Sequence, residues 1–282
     1  MTQDVRIITQ KGLGRITLTR PSALHALNAP MCEAILSALE RWRDDPTVHL
    51  VMVEHEEDTR GFCAGGDIRM LADSGAGDAS EARAFFNVEY RMNAALNAFP
   101  KPVLAIMDGV TMGGGVGLSV HGSHRVATER TVFAMPETGI GLFPDVGGGW
   151  FLPRLSGALG TWLALTGARL KGADVAAARI ATHFLPSELV TNLKKQVEGA
   201  DFSVERNPAR REPYGSRRQF RGAPGFDRSM LYAGFSRTDR CGAGGRWQRV
   251  GGRAGGRAGH QVARDRESGF APAARGRGSD QL

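Results

Sequence analysis

The aliphatic residues of this chain all but stop near residue 205, and that break decides how much of its 282 residues can surround a core. Residues 206–282 contain no Ile, only Leu231 and Leu282, and only Val250 and Val262. Gly, Arg, Ala and Pro dominate there, and neither the strand nor the helix period survives. Such a segment cannot bury enough apolar surface to offset the entropy of ordering it. Charge divides at the same place. The formal net charge of +7 is the sum of two opposed parts: 17 Arg against 6 acids in 206–282, a net of +11, and a net of −4 in residues 1–205. The high pI belongs to the tail, and the body is mildly acidic.

Upstream of the break, strand and helix patterns alternate. Residues 5–19 alternate around Gly12-Leu13-Gly14 and predict a β-hairpin. Asn28-Ala29-Pro30 starts a helix in which Cys32, Ile35, Leu36, Leu39 and Trp42 keep helical spacing, and Asp44-Asp45-Pro46 ends it. A strand is expected over 48–53, a loop over 61–67, a helix from Ile68, and a second helix over 79–99 stopped by Pro100. A buried strand over 102–107 turns at Asp108-Gly109. Another helix follows over 113–120, then a strand over 125–128 and helices over 159–166 and 173–179. This alternation argues an α/β domain with substantial parallel character.

The chemistry concentrates in two glycine-rich stretches and one acidic turn. Gly65-Gly66-Asp67 and Gly113-Gly114-Gly115 each fall where a loop enters a helix, so each offers free N–H groups and a positive dipole end. Either alone is a common turn. Together, with Pro136-Glu137 in the next strand–loop unit, they outline two donors and one acid. Acyl-thioester chemistry passes through an enolate or tetrahedral oxyanion, which two preorganised N–H groups stabilise by several kcal/mol.

These stretches resemble the crotonase (enoyl-CoA hydratase/isomerase) superfamily, and within it the branch that hydrolyses 3-hydroxyisobutyryl-CoA. The resemblance covers roughly residues 5–195. It is carried by Phe62 to Arg69, by Met107 to Gly117, by Ala134 to Gly148 with its Pro144-Asp145-Val146-Gly147, and by Leu165 to Asp174 with Ala181-Thr182-His183. It implies a spiral core of ββα repeats over residues 1–198. It implies an oxyanion hole from the N–H groups of Gly66 and Gly114, with Glu137 and Asp145 catalytic. Glu89, on the 79–99 helix, matches a further substrate-contacting acid, although an acid on an amphipathic helix is more often solvated. Arg20 lies where the family contacts CoA, while Ser22 and His25 depart from the residues common in that segment. Where hydratases carry one of their two catalytic glutamates this chain has Gly117, which counts against hydration. The implied activity is hydrolysis of a 3-hydroxyacyl-CoA in valine breakdown. No cofactor is implied beyond the CoA of the substrate.

Other readings are weaker. Cys32, Cys63 and Cys241 form no CxxC pair and read as reduced thiols. Cys63 has no His beside it in sequence and reads as a buried loop cysteine rather than a nucleophile. His121 and His124 are three apart with no carboxylate near them in sequence, so no metal site is expected. Met1 to Gln10 is polar, with no apolar run typical of a secretory leader, and no apolar run is long enough to span a bilayer, so a cytoplasmic protein without membrane contact is expected. The residues of the 199–282 tail are those of GC-rich codons, and the expectation is a disordered segment read from a shifted frame. Its rival is an Arg/Gly-rich nucleic-acid-binding tail, against which the absence of regular Arg-Gly-Gly repeats argues. The alternatives in function are an enoyl-CoA hydratase or isomerase, and an inactive remnant. An oligomer is compatible with all of them.

Overall fold

The computed structural model describes residues 3–200. The disorder and shifted frame expected of the 199–282 tail fall outside these residues, apart from the first two positions. The described chain begins with strands Val5–Gln10 (β1) and Leu13–Leu18 (β2), then helix Ala29–Asp44 (α1), strands Leu50–His55 (β3) and Gly61–Cys63 (β4), and helices Ile68–Gly75 (α2) and Ser80–Asn97 (α3). Strands Val103–Met107 (β5) and Val110–Met112 (β6) lead into helix Gly114–Val120 (α4), and strands His124–Ala127 (β7) and Val132–Ala134 (β8) into helices Gly148–Phe151 (α5) and Leu159–Thr166 (α6). Strand Leu170–Lys171 (β9), helix Ala173–Ala177 (α7), strand His183–Phe184 (β10) and helix Val190–Gly199 (α8) follow.

Two sheets result. The larger has the order β1-β2-β3-β5-β7-β10, antiparallel only in the β1–β2 hairpin. The smaller has the order β4-β6-β8-β9, with β4, β6 and β8 parallel and β9 antiparallel to β8. After the β1–β2 hairpin, the pairs β3–β4, β5–β6 and β7–β8 each send their first strand to the larger sheet and their second to the smaller one. This is the ββα spiral that the resemblance implies. Periodicity alone missed β4, β6 and β8. The expected loop over 61–67 contains β4, because a three-residue strand shows no alternation and exists only through partners far along the chain. The step from β5 to β6 turns at Gly109, whose φ is +118°. A methyl there would lie 2.8 Å from the Arg60 carbonyl oxygen, so only glycine fits.

All six residues of β3 are buried, because helices cover both faces of the large sheet. Val51 and Val53 join Ile16, Leu18, Ile35, Leu39, Phe85 and Met92 in the cluster beneath α1 and α3. Leu50 and Met52 join Leu104, Ile106, Val190, Leu193 and Val197 beneath α8. A third cluster, with Met107, Val116, Phe133, Phe151 and Leu163, fills the space beside the small sheet. Asn28 caps α1, its side chain accepting from the Met31 N–H at 2.9 Å, which explains the sharp helix start. An ionic clasp ties α8 to the sheet. Glu54 of β3, with its side chain 1% exposed, accepts from Lys194 Nζ at 2.8 Å and from Arg15, while Arg15 also reaches Glu198.

Candidate active site

The two glycine loops meet. Gly65 has φ +116°, and a methyl on it would lie 3.7 Å from the Gly114 nitrogen and 3.8 Å from the Gly113 α-carbon. Leu27 donates to the Gly65 carbonyl at 2.7 Å and accepts from the Asp67 N–H at 2.9 Å, a parallel bridge between Leu27 and Gly66. In that pattern the Gly66 N–H points away from Leu27. Gly114 opens α4, so its N–H is one that the helix leaves without an internal acceptor. Two candidate donors thus come from adjoining loops. Asp67 secures the first loop, capping α2 through the N–H groups of Arg69 and Met70.

Three carboxyls converge on this corner. A methyl on Gly113 would lie 3.0 Å from Glu137 Oε1, and one on Gly114 would run into Glu89 Oε1. Any side chain at 114 would have to push the buried Glu89 carboxyl aside. Glu89 is 2% exposed and Glu137 5%, and one oxygen of each is buried without a partner. Burial, reinforced by the charges of Asp145 and Glu137, pushes the Glu89 pKa up to about 8. Burial, opposed by a hydrogen bond from its own backbone and aided by Asp145, pushes Glu137 up to about 7. Burial likewise raises Asp145, although the Tyr90 hydroxyl donates to its Oδ2 at 2.9 Å. The sequence places Glu89 on an amphipathic helix and leaves its exposure open. The structure buries it facing Gly114.

Asp145 is aimed by a strained turn. Val146 has φ +41°, a region that a β-branched residue rarely enters, and His121 Nε2 meets its carbonyl at 2.9 Å. The turn seats against Gly117, where a methyl would lie 2.9 Å from Val146 Cβ and 2.8 Å from Asn93 Oδ1. The missing side chain at 117 is therefore the space that the Asp145 turn and Asn93 fill. Sequence reasoning did not single out Tyr90 or Asn93. Both lie on α3 with Glu89. Tyr90 is exposed and Asn93 buried, and nothing in a helical repeat marks a polar residue as buried or as a site partner.

Arg20 is already engaged. Its Nη2 donates to Asp67 Oδ2 at 2.8 Å and its Nη1 to the Ala26 carbonyl at 3.0 Å, so it braces the loop that carries Gly66. Cys63 is fully buried, and burial pushes its thiol up to about 12, the state of a core cysteine. Among the described residues no cluster of three or more His, Cys, Asp or Glu could hold a metal ion. No helix of the described residues is long and apolar enough to cross a membrane.

Two interlocked sheets from ββα repeats, with glycine donors and buried acids at one corner, define the class. The chain belongs to the enoyl-CoA hydratase/isomerase family, whose profile matches residues 13–218. That match continues past residue 198, where the sequence reading set the end of the catalytic domain. Within the family, the chain is 53% identical over 194 residues to the mitochondrial 3-hydroxyisobutyryl-CoA hydrolase of Gallus gallus, covering 69% of this chain and 50% of that protein. It is 51% identical over 192 residues to the Homo sapiens protein of the same name, covering 68% and 50%. The chain spans about half the length of the curated relatives it matches. Among solved structures, an enoyl-CoA hydratase from Rhodobacter sphaeroides superposes with a TM-score of 0.67 at 45% identity, over 73% of this chain and 61% of that one. A carnitinyl-CoA dehydratase from Mycobacterium thermoresistibile gives 0.69 at 41%, over 71% and 58%.

Proposed function

We propose that this chain hydrolyses a 3-hydroxyacyl-CoA thioester, 3-hydroxyisobutyryl-CoA or a close analogue, to the 3-hydroxy acid and free CoA. One observation carries the reading: Glu137 and Glu89 press on Gly113 and Gly114 at the mouth of α4, while position 117 holds no carboxylate. The thioester oxygen accepts from the Gly66 and Gly114 N–H groups, which stabilise the negative charge that develops there. Ionised Glu137 attacks the carbonyl carbon, or takes a proton from a water that does. The carbon–sulfur bond breaks and CoA leaves as the thiolate, which takes back the proton Glu137 drew from water on the general-base route and a solvent proton on the covalent one. On the covalent route a second step adds water to the acyl-glutamyl anhydride and restores Glu137. Glu89, held protonated near neutral pH, donates a hydrogen bond to the substrate. Asp145, steadied by Tyr90, accepts from the substrate hydroxyl. Arg20 contacts CoA at the rim with what its pairing with Asp67 leaves. No cofactor is expected beyond the CoA of the substrate.

The names of the curated relatives support the hydrolase reading, and such a hydrolysis belongs to valine breakdown. A cytoplasmic site is the location we propose, whereas the curated relatives are named as mitochondrial. Cell fractionation decides between the two. Hydratase chemistry is the second reading, favoured by the titles of the solved structures at 41% and 45% identity. Thiol release from 3-hydroxyisobutyryl-CoA, measured beside water addition to crotonyl-CoA, tests both. The hydrolase reading predicts thiol release and negligible hydration. Hydration without thiol release establishes the second reading. No turnover of either, together with salt-sensitive RNA binding, supports a binding protein acting through the basic tail.

A further inference from the structure

Asn93 is 5% exposed, and neither its Oδ1 nor its Nδ2 has a hydrogen-bond partner. A buried amide with both ends unpaired is costly, and such groups are normally satisfied by protein, water or ligand. Three relationships locate it. It lies one turn beyond Glu89 on the same face of α3. Its amide lies within 3 Å of where a side chain on Gly117 would begin. Val146, next to Asp145, flanks that same point. Glu89 meets Gly114 and Asn93 meets Gly117, so α3 and α4 run alongside each other through the site. From Gly114 to Gly117 a helix advances about 4.5 Å. That is roughly the reach from a thioester carbonyl oxygen to a hydroxyl on the β-carbon.

We propose that Asn93 is a specificity-determining residue whose amide receives the 3-hydroxyl of the acyl group. Nδ2 donates to the hydroxyl oxygen, and the hydroxyl donates a hydrogen bond to the Asp145 carboxylate. Oδ1 accepts from water in the same pocket. Ionised Glu137 and Asp145 cannot donate, Tyr90 spends its proton on Asp145, and protonated Glu89 sits against Gly114, so Asn93 is the donor placed at Gly117. A substrate without the hydroxyl leaves the amide unpaired and is penalised. This deepens the proposed function and rests on its substrate class.

The test is binding of 3-hydroxyisobutyryl-CoA and isobutyryl-CoA to the full-length chain by calorimetry, beside thiol release from each. Wild type is expected to bind the hydroxylated thioester about tenfold to a hundredfold more tightly. In Asn93→Leu that preference collapses to within a few-fold, with isobutyryl-CoA affinity no weaker than in wild type. Asn93→Ala gives the same result if the leucine variant does not fold. Equal affinity of wild type for the two thioesters, or an equal loss for both in the variants, overturns the assignment. Because binding needs no turnover, a chain that discriminates the hydroxyl yet releases no thiol disproves the hydrolase reading and leaves Asn93 in place.

Discussion

Glu89 and Glu137 show how burial turns ordinary carboxyls into groups that change charge near neutral pH. Both folded-state pKa values, about 8 and about 7, lie above the ordinary 4.5. Between these limits the folded chain holds protons that the unfolded chain has released, so stability falls as pH rises. The contribution is fully present below about 4.5 and is lost as pH climbs through 7 to 8. Glu89→Gln removes the larger part of this dependence. Its melting temperature relative to wild type is expected to rise steadily from pH 5 to pH 8.5, which differential scanning fluorimetry can follow. A difference independent of pH would show that Glu89 is not the group that titrates. At position 117 the limit is steric. Gly117→Glu must displace Asn93 and the Val146 turn, so it is expected to lower the melting temperature and to give no efficient crotonyl-CoA hydration. Strong hydration by this single variant would show that the Asp145 turn yields easily.

At the scale of elements, the clasp under α8 makes a firm prediction. Burial alone would raise the Glu54 pKa, yet Arg15 and Lys194 hold it below the ordinary carboxylate range. Lys194→Met leaves Glu54 with a single cationic partner and should cost about 2–4 kcal/mol in urea unfolding. A loss within 0.5 kcal/mol would mean that α8 is held by Val190, Leu193 and Val197 alone. Which elements were legible in the sequence follows from their length. The helices over 29–44 and 80–97 kept their apolar period for four turns or more and were read to within about two residues. The strands of the large sheet other than the two-residue β10 were read through their aliphatic runs, with β3 displaced by two residues at each end. The second strands of the later repeats, β4, β6 and β8, were not legible, because three residues carry no period and their pairing crosses the whole repeat. The site divides in the same way. Gly66, Gly114, Glu137 and Asp145 stand in loops where their residue types are conspicuous. The burial of Glu89 and the presence of Asn93 depend on how α3 faces α4, which no local pattern records.

At the scale of the molecule, the described body exposes several large apolar side chains. Ile140, Phe143, Trp150, Trp162 and Leu165 are exposed on the turn 137–140, α5, α6 and the segments between them, elements that pack against one another. Exposed apolar groups gathered in this way promote association. Phe143→Ser with Leu165→Ser is expected to reduce light scattering at high protein concentration while moving the melting temperature little, as exposed substitutions do. Unchanged scattering would place the sticky surface elsewhere. The central claim, however, rests on one carboxylate. It is tested most directly by thiol release from 3-hydroxyisobutyryl-CoA by wild type and by Glu137→Gln, with binding of the thioester measured on both. A carboxamide keeps the shape but can act neither as base nor as nucleophile. The account predicts that the variant binds the thioester and releases CoA at least about a thousandfold more slowly. Release at the wild-type rate by Glu137→Gln would contradict it.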